Sequence, residues 1–448
     1  MVRSLTWTAA VIAAATVCSV LMSRLPAAEP FSCDTTKQTG PLVMPWRAFE
    51  PDPAFHGQWL VAGDLDGDGV AEIVTARHEN QSVTALGAWK LDGSALWKHG
   101  TPGAGIQGLW CDVPVQIYDL DGDGKNEVYL SRKGFLVVLA GASGQAIQQR
   151  PLPVGLEVAD CIVFANLRGQ PRARDILIKD RYHHLWAYTD QWQPLWDWAP
   201  QRFMTCHHPT CLDVDRDGKD EVLAGYALLD DDGRELWAVT SAKLNLGRGH
   251  LDCSEVMAAG QQPADFRFLL TYCGDEGLAL LDGAGQTLWE LAGRHFESVD
   301  AGKIRADLPG QQIVVDIDHR PFGQGLVWLL DDRGTLLGEY TCGYGRFHRL
   351  LDFNGDGLAE ILIGNTSKLF DGQGRCVAHF GPADAFGAES LPQPQNDPGP
   401  FAVVGDLDGD RRPEVILHTT ERIQIYRCPQ AAPICTGPLG TDVNFTLY

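Results

Sequence analysis

Short apolar runs separated by polar, glycine-rich turns recur along the chain, with the period-two texture of strands. Five of them stand out: Ile73-Val74-Thr75, Val128-Tyr129-Leu130, Val222-Leu223-Ala224, Ile361-Leu362-Ile363 and Val415-Ile416-Leu417. None is flanked by a stretch with helical periodicity, so the pattern predicts β-strands rather than helices. Each run follows an acidic loop of one design. Oxygen donors stand at the first, third and fifth places and a glutamate at the ninth: Asp64, Asp66, Asp68 and Glu72; Asp119, Asp121, Asp123 and Glu127; Asp213, Asp215, Asp217 and Glu221; Asp352, Asn354, Asp356 and Glu360; Asp406, Asp408, Asp410 and Glu414. Alternate oxygens turned inward and a late carboxylate closing the shell are how a short loop wraps a hard cation, and crowded carboxylates favour calcium over magnesium. The expected cofactor is calcium, structural in role, at up to five ions.

The long gaps between loops contain copies that have lost their acids. One runs from Asn166-Leu167-Arg168-Gly169 to Asp175-Ile176-Leu177-Ile178. Another spans Ala258 to Gln262 before Phe266 to Leu270, and a third spans Lys303 to Gly310 before Gln312-Ile313-Val314-Val315. Counting them gives eight units, about 49 residues apart from Asp64 to Asp406, a length suited to four strands. A second repeat marks outer hairpins with tight turns, at Leu91-Asp92-Gly93 with Trp97, Leu229-Asp230 with Trp237, Leu281-Asp282-Gly283 with Trp289, Leu330-Asp331 with Leu336, and Phe370-Asp371-Gly372 with Val377. Their tryptophans are expected to pack between neighbouring units. The predicted fold is therefore all-β: an eight-bladed β-propeller with calcium-binding loops between the first and second strands of five blades. After Ile423 to Tyr426 the eighth blade runs out of strand. The segment near 41–48, around Pro41 to Trp46, is expected to supply the missing outermost strand and to close the ring, which removes exposed sheet edges.

Length alone would predict more than one domain; the repeat argues for one, over residues 29–448. Residues 1–28 carry Arg3, an apolar run from Thr8 to Met22 and Pro26-Ala27-Ala28, the layout of a secretory signal. The run is short for a membrane span, so an uncleaved anchor is the weaker alternative. A secreted or periplasmic bacterial protein is expected, with no stable membrane span after cleavage. Twelve cysteines suit an oxidising compartment. Cys206 with Cys211, Cys342 with Cys376, and Cys33 with Cys428 or Cys435 are the expected bridges. The net charge of −22 is largely the acidity of the loops, whose inward positions hold nineteen of the 58 acids; it implies no basic partner, and nothing points to nucleic acid.

On a propeller the loops occupy one mouth. The thirteen histidines fall in or near connections at the opposite mouth, together with Lys179, Arg181, Arg248, Arg294, Arg320 and Arg346. A cationic mouth of this kind is expected to bind an anionic ligand. His207, His208, His250, His295 and His348 each sit just before or at the start of an innermost strand. Asp252, two places after His250, shares its strand face and is expected to orient its imidazole. No nucleophile elbow, phosphate loop, dinucleotide fingerprint or zinc-protease motif occurs.

The Asp-x-Asp-Gly-Asp-Gly loops leading into strands resemble FG-GAP/VCBS propeller repeats over nearly the whole chain. Gly249-His250-Leu251-Asp252 and Ala306-Asp307-Leu308-Pro309-Gly310 resemble the propellers of rhamnogalacturonan lyases (polysaccharide lyase family 11) and, more distantly, ulvan-type lyases. The first chain-wide resemblance implies calcium. The second implies β-elimination on acidic polysaccharide, which needs a cation at the uronate carboxylate, a base for the α-proton and an acid for the leaving oxygen. His250 is the expected base and His208 the alternative, with His295, His348 and Asp252 nearby. Arg320 or Arg294 would neutralise the carboxylate, and Tyr272 or Tyr344 would serve as acid. The alternative is a non-catalytic FG-GAP-type propeller binding a cell-surface glycan or protein; a quinoprotein dehydrogenase has only the tryptophan hairpins in its favour.

Overall fold

Every described strand belongs to an antiparallel meander or lies along the edge of one. The computed structural model describes residues 29–79, 82–103, 112–244, 246–247, 249–274, 276–317, 325–343, 348–381 and 400–430. Seven units of four strands begin at Trp59–Gly63, Val115–Tyr118, Cys161–Ala165, Thr205–Leu212, His250–Ala258, Phe296–Gly302 and His348–Leu351, and an eighth begins at Phe401–Gly405. The first strands of successive units touch one another along the series. The fold is all-β, as the period-two runs predict, with only three short 3-10 turns among the described residues.

The N-terminal segment supplies edges to three units. Phe31–Asp34 runs parallel to Leu336–Gly343 in the sixth, and Leu42–Val43 runs parallel to Cys376–Phe380 in the seventh. Arg47–Phe49 lies antiparallel along Ile423–Arg427 as the fourth strand of the eighth. The strand filling the last unit is thus shifted toward the C-terminus of the expected 41–48, to Arg47–Phe49, because Leu42 and Val43 serve the preceding unit.

Indoles join successive units. Trp97 Nε1 donates to Gly141 O at 2.6 Å, Trp196 to Asp231 O at 2.7 Å, Trp237 to Gly283 O at 3.0 Å and Trp289 to Asp332 O at 3.0 Å. Each ring lies on the outer hairpin turn of the next unit. A Cβ on Gly144 or Gly285, both at positive φ, would stand 2.5–2.6 Å from the Trp97 or Trp237 ring, so only glycine fits there.

The acidic loops share one internal pattern. Asp64 accepts N–H groups of Gly67 and Gly69, and Glu72 Oε2 accepts the N–H of Leu65 at 2.9 Å. Glu221, Glu360 and Glu414 repeat that closing bond with Val214, Phe353 and Leu407. Two of the three degenerate copies keep it too: Asp175 accepts from Leu167 and Gln312 from Ile304. The turn therefore survives the loss of its acids.

The nine described cysteines are free thiols, against the expected bridges. Cys206 and Cys211 lie along one extended strand, where ~3.3 Å per residue carries them beyond bonding range. Cys33 packs with Cys342 and Cys376 in the core of the sixth and seventh units, whereas Cys428 belongs to a different cluster. Cys18 and Cys435 lie outside the described residues, as does the leader segment 1–28.

Replacing Trp97 by Phe should keep the packed ring but lose its hydrogen bond, lowering unfolding free energy by about 1 kcal/mol. Trp97→Ala should cost about 3–5 kcal/mol. Urea denaturation of the two variants measures both: an unchanged stability in Trp97→Phe would mean the indole bond contributes nothing, and equal losses in the two would mean the packed ring contributes nothing beyond it. Three imidazoles, His56, His78 and His418, are buried, and burial pushes them from 6.5 to about 4, 4 and 3. A depressed group favours the fold fully above pH 6.5 and withdraws that support as pH falls toward its folded value. His418→Gln should therefore lose less stability than the parent between pH 7 and pH 5, read as the difference in melting temperature in one buffer series.

Candidate active site at the start of the inner strands

The first strands of the fourth and fifth units lie side by side, with Cys206 opposite Leu251 in a parallel bridge. That register sets His207 beside Asp252. His250 and Asp252, two residues apart, project from one strand face, and their side chains meet at 3.0 Å. His207 Nε2 stands 3.1 Å from Asp252 Oδ1 and 3.2 Å from His250 Nε2. Its Nδ1 is 2.7 Å from Asp112 Oδ1. His295 joins from the next unit, 3.6 Å from Asp252 and 3.3 Å from Glu297.

Tyr182 covers this group. Its ring stacks on His250 with centroids 4.0 Å apart, and its hydroxyl is 3.3 Å from His207 Nε2. Its backbone sits at φ +82°, a conformation that costs a bulky residue energy and that collects at functional sites. A backbone bond from Thr205 N–H to Tyr182 O helps to fix it. Behind the group, the wholly buried Lys179 lies 2.7 Å from Asp160 and 3.6 Å from Asp112, and Arg181 is 3.2 Å from Asp160.

The ionisation of the cluster follows from these contacts. Burial pushes His207 down to about 3, against the pull of Asp252. With its proton on Nδ1 toward Asp112, its Nε2 is an acceptor. For His250 burial is outweighed by hydrogen bonds to Asp252 and Cys273, which hold it at about 9. His295 is held at about 11, burial again being overcome by Cys273 and Glu297. Burial, reinforced by Asp112, raises the Tyr182 phenol. Four cations, Lys179, Arg181, His250 and His295, thus face four acids, Asp112, Asp160, Asp252 and Glu297. The mouth was expected to be cationic; here its positive groups are matched by carboxylates.

The same donors suit a divalent cation. His207, His250 and Asp252 converge, as do Asp252, Cys273 and His295, with Asp252 shared. Octahedral bonds of ~2.1 Å place neighbouring ligand atoms ~3 Å apart, close to the spacing of His207 Nε2, His250 Nε2 and Asp252 Oδ1. Asp112, bonded to the far nitrogen of His207, has the position of an outer-shell carboxylate that orients a ligating imidazole. The acidic loops offer separate all-oxygen sets, such as Asp64, Asp66 and Glu72.

Of the residues expected at the site, His250, His295 and Asp252 come together. His250 is not placed as a free base: Nε2 is committed to Asp252 and His207, and one face to Tyr182. His208 points away from its neighbour His207, as alternate strand residues must, into a cavity of about 380 Å³ with Gln116, Thr210 and Glu255. Burial, with Lys179 and Arg349, lowers it to about 4. His348 is buried elsewhere, 3.3 Å from Ser298 and 3.5 Å from Asp300. Tyr272 is fully buried against Tyr226 and cannot meet a solvent-borne ligand. Arg294 is half-buried next to His295 in the chain. Arg320, Arg248, Arg346 and Tyr344 lie outside the described residues. Sequence reasoning passed over His207 for His208, and missed Tyr182 and Asp112 as partners. Strand parity was the available signal, since His207 and not His208 shares the side of Asp252 once the two strands are paired in register.

No family model matches the chain. It is 26% identical over 449 residues to the rhamnogalacturonan endolyase YesW of Bacillus subtilis, across 81% of this chain and 66% of that protein. It is 26% identical over 497 residues to the rhamnogalacturonan exolyase YesX of the same organism, across 91% and 77%. This chain thus spans 66% of the length of YesW. The crystal structure of YesW superposes with a TM-score of 0.60 at 21% identity, over 87% of this chain and 74% of that one. The Vibrio cholerae biofilm matrix protein Bap1 superposes with a TM-score of 0.55 at 14% identity, over 90% and 93%. The chain is related in sequence to rhamnogalacturonan lyases and shares their all-β fold.

Proposed function

We propose that this protein is a polysaccharide lyase that cleaves a uronate-containing, pectin-type glycan by β-elimination. The observation carrying the reading is the relation to two rhamnogalacturonan lyases across 81% and 91% of the chain; the His207–His250–Asp252 cluster gives it a place. In the same reading the eight units form a closed propeller of FG-GAP/VCBS type, sealed by Arg47–Phe49, and residues 1–28 direct export.

The cluster residues divide the work. His207, His250 and Asp252 would hold a divalent cation, with Asp112 and Lys179 fixing His207 from behind. Such a cation neutralises the uronate carboxylate and so acidifies the α-proton. His295, half-exposed and protonated at neutral pH, adds positive charge toward the same carboxylate. Tyr182, kept protonated by burial, is the acid for the leaving oxygen, and the phenolate left behind is reprotonated by the α-proton as the C–O bond breaks and the double bond forms. His250 is here assigned as a ligand, a role that requires it to give up its proton when the cation binds.

Incubated with rhamnogalacturonan, the protein should release products with the ultraviolet absorbance of an unsaturated uronate. His250→Ala should abolish that absorbance while keeping the circular dichroism of the folded sheets, at a cost in melting temperature because Asp252 loses a buried partner. New reducing ends without unsaturation would identify a hydrolase. The absence of any product on a panel of uronate polysaccharides would leave the second reading, a non-catalytic glycan- or protein-binding propeller, for which the shared fold with a biofilm matrix protein speaks.

We also assign the acidic loops to structural calcium. In the fourth unit the residues fit: Asp213 Oδ1 and Glu221 Oε1 are buried with no hydrogen-bond partner, a costly arrangement unless a cation sits there. Ions bound only by the native state stabilise it, so excess chelator should lower the melting temperature and added calcium should restore it. A melting curve indifferent to both would remove calcium from the account.

A further inference from the structure

The five acidic loops look alike in sequence, but they differ at the residue facing the closing glutamate. In each unit the strand after the loop pairs with the third strand in the same register. Ile73 pairs with Trp89, Val222 with Leu229 and Ile361 with Phe370. Glu127 itself pairs with Ala140 and Glu414 with Arg427. One step beyond the printed pairs, Lys90 faces Glu72, Asp230 faces Glu221 and Asp371 faces Glu360. Residues directly opposite on antiparallel strands point to the same side. The position is therefore basic in the first and eighth units, acidic in the fourth and seventh, and apolar in the second.

Side-chain contacts follow that division at the closing glutamate, whereas bases on the second and fourth loops reach other carboxylates singly, Arg172 at 2.9 Å from Asp119, Lys125 at 3.7 Å from Asp123 and Lys219 at 3.7 Å from Asp217. Lys90 Nζ reaches into its own loop, 2.8 Å from Asp66, 3.6 Å from Asp68 and 3.6 Å from Glu72. Arg427 does the same in the eighth unit: Nε is 2.9 Å from Glu414, Nη2 bonds Asp408 and Nη1 is 4.0 Å from Asp410. In the fourth unit no base stands at the position, and Asp213 Oδ1 and Glu221 Oε1 are left buried without a partner. The degenerate third unit shows where such a replacement leads. There Arg168 bonds the closing Asp175 at 2.6 Å and Asp190 at 2.8 Å, and the other acids of the loop have gone.

We propose that Lys90 and Arg427 are built-in cations that occupy the first and eighth loops in place of calcium, so that calcium is taken by the second, fourth and seventh. The inference rests on the assignment of calcium to these loops. An ammonium or guanidinium within 4.0 Å of three loop carboxylates supplies charge that a metal would bring, and it is tethered at high effective concentration. The first and eighth units are also where the two ends of the repeat meet, with Ala71 N–H donating to Leu407 O at 2.7 Å. That junction is then held without dependence on external calcium.

Equilibrium dialysis of metal-stripped protein against calcium, with ions counted per chain, tests the assignment. Glu221→Gln should lose one ion relative to the parent. Glu72→Gln should lose none, and Lys90→Ala and Arg427→Ala should each gain one. If Glu72→Gln loses an ion as Glu221→Gln does, the proposal is overturned while structural calcium stands. If the parent binds no calcium and no substitution alters that, the calcium assignment fails and the proposal with it. Should Lys90→Ala not fold, Arg427→Ala and the two glutamate variants still decide the matter.

Discussion

An indole donated across a unit boundary is the interaction on which the rest of this structure depends. A four-stranded meander of this size cannot bury both of its faces alone. Trp97, Trp196, Trp237 and Trp289 each seat a ring on the next unit's hairpin turn and bond its backbone. In the sixth unit a tyrosine takes over, with Tyr340 bonding Asp371 O on the next turn, and Tyr426 of the eighth bonds back to Gly381 O of the seventh. These contacts fix the outer edges of the units. With the edges fixed, the first strands are brought side by side, and only then do Asp112, Tyr182, His207, His250 and His295, drawn from five units or their connections, converge.

That convergence is an exercise in polar satisfaction. Buried charges are tolerated when they are paired, and the cluster pairs them in layers, Lys179 behind Asp112, Asp112 behind His207, His207 against Asp252 and His250. An isolated His207 at that depth would have no reason to be there. Set in the layers it has one nitrogen fixed and one offered.

The repeat was legible because its signals are local. A loop of nine residues, or a turn closed by glycine, carries its structure within itself, so strand class and unit spacing follow from reading along the chain. The site was only half legible. His250 and Asp252 meet because they are two apart on one strand, a fact of the pleat. That His207 and not His208 joins them depends on pairing between units, and Tyr182 arrives through a left-handed backbone that no propensity for tyrosine foretells. Histidine counts misled in the same way: His56, His78 and His418 are buried in the framework. The bridge expected between Cys206 and Cys211 failed because adjacency in sequence along an extended strand is distance in space, and that between Cys33 and Cys428 because the two lie in different clusters.

The path of the N-terminal segment has a kinetic meaning. Phe31–Asp34, Leu42–Val43 and Arg47–Phe49 are made first, yet their partners in the sixth, seventh and eighth units are made last. Contacts so far apart in sequence form slowly, because the chain must close its longest loop before they yield anything. Through most of synthesis the segment has no edge to lie on, and the last units have edges with nothing along them. Docking of this strap is therefore expected to follow the folding of the three units it joins.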